Sequence, residues 1–424
     1  MSVQQYPVAP SAGSIAVIGA GIVGMSTALH LQRMGHRVTV LDPRAPGTMT
    51  SFGNAGGIVT GAVMPTSNPE LWKQVPRMLL DPMGPLTIRW RYLPQLMPWL
   101  IRFLRAGSRN RIEPAARALW PLVSRAYDEH RTLARMAGAD DIVRPEGWLK
   151  VYETEAGFMD SRAERELMAR CGANIRILGP DEIHQLEPGL ARRFTHGLYQ
   201  PDSGWVANPG RLVRIYAERF TADGGTLLAE AVRRLASAPG DSQVEVTTDP
   251  GNHRFEQVVI AAGAWSARLA RTLGERIPLE TERGYHLNLA REGAAELRRP
   301  TFFVDRKLVL APMEDGIRLT SGVELAGLEA PPDFTRIKRL LPSAREVLPG
   351  LSDTITREWM GHRPSTPDSL PVIGRSPHHP GVIYAFGHGH LGLTLGPVTG
   401  RLVASIAGSD APETDLTPFR ADRF

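Results

Sequence analysis

The chain has 424 residues, 42% hydrophobic and 22% charged, the composition of an ordinary globular protein longer than one typical core, so two domains are expected. Its formal charge of +5 comes from scattered arginines rather than a basic cluster. That argues against a nucleic-acid partner and suits an anionic substrate or surface. A single cysteine, Cys171, excludes an internal disulfide and any cysteine-based metal cluster, and no metal site is expected.

Residues 1–13 are polar, carry Pro7 and Pro10 and lack an apolar centre, which predicts a loose tail and no signal peptide. No run of about 18 uncharged apolar residues occurs, so no membrane span is expected, and a cytoplasmic location is. Ser14-Ile-Ala-Val-Ile18 then predicts a strand that runs into Gly19, Gly21 and Gly24. A small-residue helix, a stop at Gly35 and a second strand ended by Asp42 complete one βαβ unit with a dinucleotide fingerprint. Gly19 permits the tight turn, Gly21 lets backbone approach a pyrophosphate, and Gly24 lets helix and strand pack closely. The helix start, at Ile22 and Val23, offers unpaired N–H groups to the phosphates. Asp42 suits the hydroxyls of an adenosine ribose, which favours FAD or NAD over NADP. The unit itself does not choose between those two.

A long small-residue loop follows at 44–57, where Ser51, Asn54, Ala55, Gly56 and Gly57 let backbone lie against a flat ligand or its phosphates. A second nicotinamide-type unit would return to a strand sooner. Residues 85–107 mix aromatics, leucines and four arginines with no acid. Trp99, Leu100, Phe103 and Leu104 share one helical face there, flanked by Arg102 and Arg105. This suits a helix packed on its own domain, the preferred reading, or peripheral contact with the inner face of the membrane. Helical patterns cover 111–141 and 156–170, the latter closed by Gly172, with a strand at 147–152 between them and a short capped helix at 180–188.

Asn208 caps and Pro209 opens a helix reaching about residue 222. Strands are expected at 226–232, 243–248 and 255–260, an antiparallel meander leading into a buried strand that ends in small residues. Val232, Ala262, Gly263 and Trp265 are candidate cofactor contacts there. The meander replaces the repeated βαβ half of a plain NAD enzyme, which moves the reading to FAD. Strands at 282–289, 301–304, 308–311 and 316–321, the last two joined by a hairpin turn at Asp315-Gly316, form the main sheet of a second domain. Residues 333–348 read as a helix with a solvated basic face. A final strand at 382–386 turns through Gly387-His-Gly-His-Leu-Gly392 into a small-residue helix, which aims a second helix N-terminus at the cofactor. Gly389, His390, Leu391, Gly392, Leu393 and Thr394 are its candidate contacts. The expected fold is α/β with α+β. A discontinuous Rossmann-like FAD-binding domain takes 1–84, 200–275 and 355–424, and a substrate-binding domain on an antiparallel or mixed sheet takes 85–199 and 276–354.

Several of these blocks recur together: Gly19/Gly21/Gly24 with Asp42, Ser51-Phe-Gly-Asn-Ala-Gly56, Ala261-Ala-Gly-Ala-Trp-Ser266, Arg283-Gly-Tyr-His286, Gly361-His-Arg-Pro-Ser-Thr-Pro-Asp368 and the 387–392 turn. Over nearly the whole chain they resemble the FAD-dependent oxidoreductases of the D-amino-acid oxidase type, above all the bacterial D-amino-acid dehydrogenases of the small-subunit kind. That family often has Glu where this chain has Asp42. The resemblance implies noncovalent FAD, because the flavin-linking cysteine of the sarcosine-oxidase branch lies near the C-terminal block and Cys171 does not. It also implies hydride transfer from a substrate α-carbon to flavin N5, giving an imine and then a 2-oxo acid, with electrons passed to a quinone or other non-NAD acceptor. The substrate implied is a D-amino acid or a cyclic imino acid such as D-hydroxyproline. Oxidation of opine- or sarcosine-like secondary amines, or service as the flavoprotein subunit of a larger assembly, stand as alternatives. By the same resemblance Arg363 clamps the substrate carboxylate, since a guanidinium grips two oxygens at once. Tyr285 and His286 are candidate substrate contacts, with a core role as the alternative, and His390 joins His388 near the pyrimidine end of the flavin.

Overall fold

The computed structural model describes residues 13–69, 86–237, 242–292, 295–408 and 411–424, so the expected tail lies almost wholly outside the described residues. All of Ser14–Ile18 except Ser14 is buried, as a β-branched run in the middle of a sheet should be. It sits third in a six-stranded sheet ordered Thr226–Leu228, Arg37–Leu41, Ser14–Ile18, Gln257–Ile260, Val382–Phe386, Val372–Arg375. Neighbours are parallel except the last pair. The helix Ile22–Arg33 follows the first strand and packs along Gly392–Ala407. That approach depends on missing side chains. A Cβ at Gly24 would lie 1.8 Å from Gly19 O, and one at Gly400 would lie 2.6 Å from the Ser26 backbone.

The expected strand at 226–232 divides between two sheets. Thr226–Leu228 stays in the parallel sheet, while Val232–Ala236 opens a three-stranded antiparallel sheet with Val244–Thr248 and Asn252–Phe255. Glu230 pins the corner by accepting from Thr248 Oγ1 at 2.7 Å, with His253 Nε2 at 2.8 Å. The 255–260 strand divides likewise at Glu256, whose N–H donates to Ser14 O. Alternation along the chain cannot register such a change of sheet.

Three expected helices are broken. Residues 111–141 form Arg109–Val123 and Ala126–Ala137, and 156–170 form Glu155–Asp160 and Arg162–Cys171, the last closed by left-handed Gly172. The 333–348 helix is Thr335–Arg339 and Leu341–Val347, where Pro342 takes an early position because it lacks the N–H to continue a helix. The helices over 109–137 pack against Gly392–Ala407, and His130 Nε2 lies 2.7 Å from Leu393 O.

The larger sheet runs Ile355–Ser365, Glu280–Leu289, Gly316–Leu325, Leu308–Met313, Thr301–Phe303, Trp148–Tyr152, His196–Gln200, Arg176–Leu178, with Leu86–Ile88 added beside Gly316–Leu325. Of the 85–107 segment, residue 85 lies outside the described residues. Its helix Leu93–Ala106 buries Leu96, Trp99 and Phe103 against Leu325. Trp99 Nε1 donates to Ser365 O at 3.1 Å. Internal packing therefore accounts for Trp99 and Phe103, which do not face outward. Met97, Ile101 and Leu104 do. Among the described residues no helix is long and apolar enough to cross a membrane.

Candidate active site

A cleft of about 940 Å³ lies between the C-terminal ends of the parallel strands and one face of the larger sheet. Ligands bind parallel sheets at this edge. At one end the walls are mostly backbone. Gly19 has φ +111° and no room for a Cβ, which would meet Ala261 O at 2.4 Å. A Cβ at Gly21 would meet only Ser51 Oγ, at 3.3 Å, so the rest of that position is open to the cleft. The helix after it has no side-chain cap, and Ile22 N–H donates to Ser51 Oγ at 3.0 Å. Asp42 Oδ2 accepts from Ala20 N–H at 2.8 Å and Oδ1 from Arg44 N–H at 2.9 Å. Burial pushes its carboxyl up, and these N–H groups oppose that shift. Each oxygen keeps a lone pair for a ribose hydroxyl. A glycine cradle, a helix N-terminus and an anchored carboxylate fit the adenosine diphosphate half of FAD.

The candidate contacts Val23, Asn54, Ala55, Gly57, Val232, Ala262, Gly263 and Trp265 line this cleft, as do all six of the 389–394 series. Gly24 does not, because its role is the helix–strand contact. Gly56 does not either. It turns left-handed against Val206 O, which a Cβ would meet at 2.5 Å. Cys171 also lies off the cleft, so no thiol is placed to tether a flavin.

The loop after Ser51 is held from the larger sheet. Arg318 Nη1 donates to Phe52 O at 3.0 Å and Asn54 O at 2.6 Å. His286 Nδ1 lies 3.1 Å from Gly53 O, and its ring stacks on Trp359 with centroids 5.0 Å apart. Burial pushes His286 down to about 3, so the ring is neutral and Nδ1–H donates. His286 is thus enclosed under Trp359 and does not reach the cleft. Tyr285 projects from the opposite face of its strand, where its hydroxyl donates to Glu324 Oε2 beside Arg283. Neither residue lines the cleft, because the strand's alternation and the overlying Trp359 turn both into the protein.

The positions that do face the cleft on the strands Glu280–Leu289 and Ile355–Ser365 are Gly284, Trp359, Gly361, Arg363 and Pro364. Trp359 lies across Gly361 and Gly53, and Arg363 lies across Gly284, each where a Cβ would come within 2.2 Å of the ring or guanidinium. Arg363 Nη1 donates to Gly322 O at 3.1 Å. No carboxylate among the described residues forms an ion pair with it. Glu282, directly paired on the next strand, is pushed up by burial and only partly balances the charge. Burial lowers the guanidinium as well, yet arginine stays protonated. His390 has surface open to the cleft, but protein encloses that space. Its imidazole falls to about 4, first through burial and then through the positive Arg363 and Lys150. His388 is buried, with Nε2 3.0 Å from Thr399 Oγ1.

Sequence reasoning missed Trp359, Arg318 and the far wall of the cleft, Trp148, Lys150, Glu164, Gln200, Phe302, Val309 and Thr320. One signal was available: Lys150 is a charge inside an otherwise uncharged strand.

Comparison with known proteins agrees with this geometry. The family described as FAD dependent oxidoreductase matches residues 14–406. A D-amino-acid oxidase of Bradyrhizobium diazoefficiens is 38% identical over 98% of this chain and 100% of its own. A D-amino acid dehydrogenase of Paramagnetospirillum magneticum is 33% identical over 97% and 98%. The fold is similar to that of glycine oxidase from Geobacillus kaustophilus, with a TM-score of 0.74 at 24% identity over 97% of this chain and 99% of that one. It is similar again to L-proline dehydrogenase from P. horikoshii, with a TM-score of 0.73 at 19% identity over 98% of each. This chain belongs to the FAD dependent oxidoreductase family typified by D-amino-acid oxidase.

Proposed function

We propose that the chain oxidises the Cα–N bond of a D-amino acid, cyclic imino acids such as D-hydroxyproline included, to an imine that water converts to a 2-oxo acid. The observation that carries this reading is Arg363, a guanidinium inside the cleft with one backbone acceptor and no ion-pair partner among the described residues. An enclosed, unpaired cation is costly, and a substrate carboxylate relieves it with two parallel hydrogen bonds. The names of the relatives support the D-amino-acid class.

FAD, when bound, supplies the hydride acceptor. The chain's own residues bind and orient the substrate. Arg363 takes the carboxylate, and Trp359, braced on His286, walls the cleft against water. His390 stays neutral and offers hydrogen bonds without taking a proton. The substrate amine leaves its proton in the solvent and enters as its free base beside the positive Arg363 and Lys150. The electrons pass on to a non-NAD acceptor such as a quinone. On a cytoplasmic protein, the outward stripe Met97, Ile101 and Leu104 with Arg102 and Arg105 would meet an anionic membrane surface.

The test is anaerobic mixing of the yellow protein with D-amino acids, L-amino acids and secondary amines. Loss of flavin absorbance with the D-amino acids is expected. Bleaching by acyclic secondary amines alone would replace this reading with the opine- or sarcosine-like one.

A further inference from the structure

One ladder of directly paired residues crosses the larger sheet under the cleft: Trp359 with His286, His286 with Thr320, Thr320 with Val309, Val309 with Phe302 and Phe302 with Lys150. All but the covered His286 line the cleft. The cleft-lining part of the row is aromatic or aliphatic from Val309 until it ends on a cation, beyond which the pairing passes to Leu198, off the cleft. Lys150 Nζ donates to Glu164 Oε1 at 2.6 Å, and Glu164, from the helix Arg162–Cys171, lines the cleft too. Their side chains are 14% and 29% exposed, and both border the same enclosed space. Burial works hardest against the ammonium, but Glu164 and Tyr152 together outweigh it and hold Lys150 above its usual range.

The pair is only half used. An ammonium has three N–H groups, and two of these have no protein partner among the described residues. The second oxygen of Glu164 has none either. A donor and an acceptor therefore stand side by side in the wall of the cleft. His390 senses both Arg363 and Lys150, which ties this wall to the carboxylate anchor.

Charge narrows what can fill the space. Among the charged side chains lining this end of the cleft, Arg363, Lys150 and Glu164 leave one positive charge, only partly offset by Glu282 on the strand next to Arg363. A substrate with a free-base amine and an ionised carboxylate brings one negative charge. A further charge on the side chain would stand unbalanced in an enclosed site. A purely apolar end would leave the donor and acceptor unpaired.

We propose that Lys150 and Glu164 form the side-chain subsite and select D-amino acids that end in an uncharged group able both to donate and to accept, a carboxamide or a hydroxyl. This rests on the D-amino-acid reading above.

The test compares kcat/KM for D-glutamine with D-methionine, D-glutamate and D-lysine. It also compares the inhibition constants of two amine-free carboxylates of like shape, glutaramate and 5-methylhexanoate. In the wild type D-glutamine and glutaramate are expected to lead by about 10- to 100-fold. Lys150→Met should reverse both ratios while the flavin-to-protein absorbance ratio holds, and Glu164→Gln should shrink both in the same direction. A pair that only tied helix to sheet would lower every substrate in parallel and reduce flavin content, which overturns the proposal. So does a wild type that favours D-glutamate, D-lysine or D-methionine. Should Lys150→Met fail to fold, the wild-type inhibitor ratio and Glu164→Gln still decide. Absence of bleaching by any D-amino acid overturns the parent reading. Bleaching with equal constants for D-glutamine and D-methionine overturns the subsite alone.

Discussion

The two ends of the cleft are built from different materials. The nucleotide end uses backbone: Gly19 in a turn, open space at Gly21, the first turn of a helix, and one carboxylate held by two N–H groups. The other end, where the substrate is proposed to bind, uses side chains that stand on separate strands, such as Arg363, Trp359, Phe302 and Lys150. Recognition by backbone binds a cofactor common to a whole family, because a turn with too little space for a side chain tolerates few alternatives. Recognition by side chains lets substrate change while the sheet stays the same.

Glycine variants separate fold from cofactor at the first end. Gly24→Val forces a branched side chain into Gly19 O and should cost on the order of 3 kcal/mol, read as a large fall in the urea midpoint. Gly21→Val meets little protein. Its stability as apoprotein should stay within about 1 kcal/mol of wild type while flavin is lost. A Gly21→Val protein that keeps full yellow colour would break the comparison. Asp42→Asn retains an acceptor but weakens the hydroxyl contacts, and FAD affinity should fall about 10-fold by titration of the apoprotein.

A pH series probes the join between the two ends. The His286 imidazole lies at about 3 when folded and near 6.5 when unfolded, so the unfolded chain takes up the proton more readily. Its contribution is complete above pH 6.5 and is lost as pH falls towards 3. His286→Gln should flatten the fall in urea midpoint between pH 7.5 and 5, with His388 and His390 keeping part of the slope. The smallest effect concerns the helix Leu93–Ala106. Ile101→Ser with Leu104→Ser should weaken sedimentation with anionic vesicles by less than about 10-fold. Trp99→Ser, on the buried face, should lower stability instead.

The same contrast explains what could be read from the chain. The βαβ unit, the Asp315-Gly316 hairpin, the Asn208 cap and the 387–392 turn are local, so spacing alone located them. The break at Leu228 depends on sheet partners, and the split before Leu341 on Pro342. Tyr285 and His286 sit in a motif beside Gly284, yet the side chain that reaches the cleft over Gly284 comes from Arg363 on the next strand. Trp359 and Lys150 are neighbours of the site only through a register that spans six strands, and no short motif carries that information.

The most direct measurement is anaerobic flavin reduction by a D-amino acid and by the matching amine without its carboxylate, in wild type and Arg363→Ala. Wild type should strongly prefer the amino acid. Arg363→Ala should lose about 30- to 1,000-fold in kcat/KM for it while keeping its flavin and its slow rate with the amine. If wild type reduces equally fast with both, and Arg363→Ala loses both alike, Arg363 does not clamp a carboxylate and the proposed function fails at its centre.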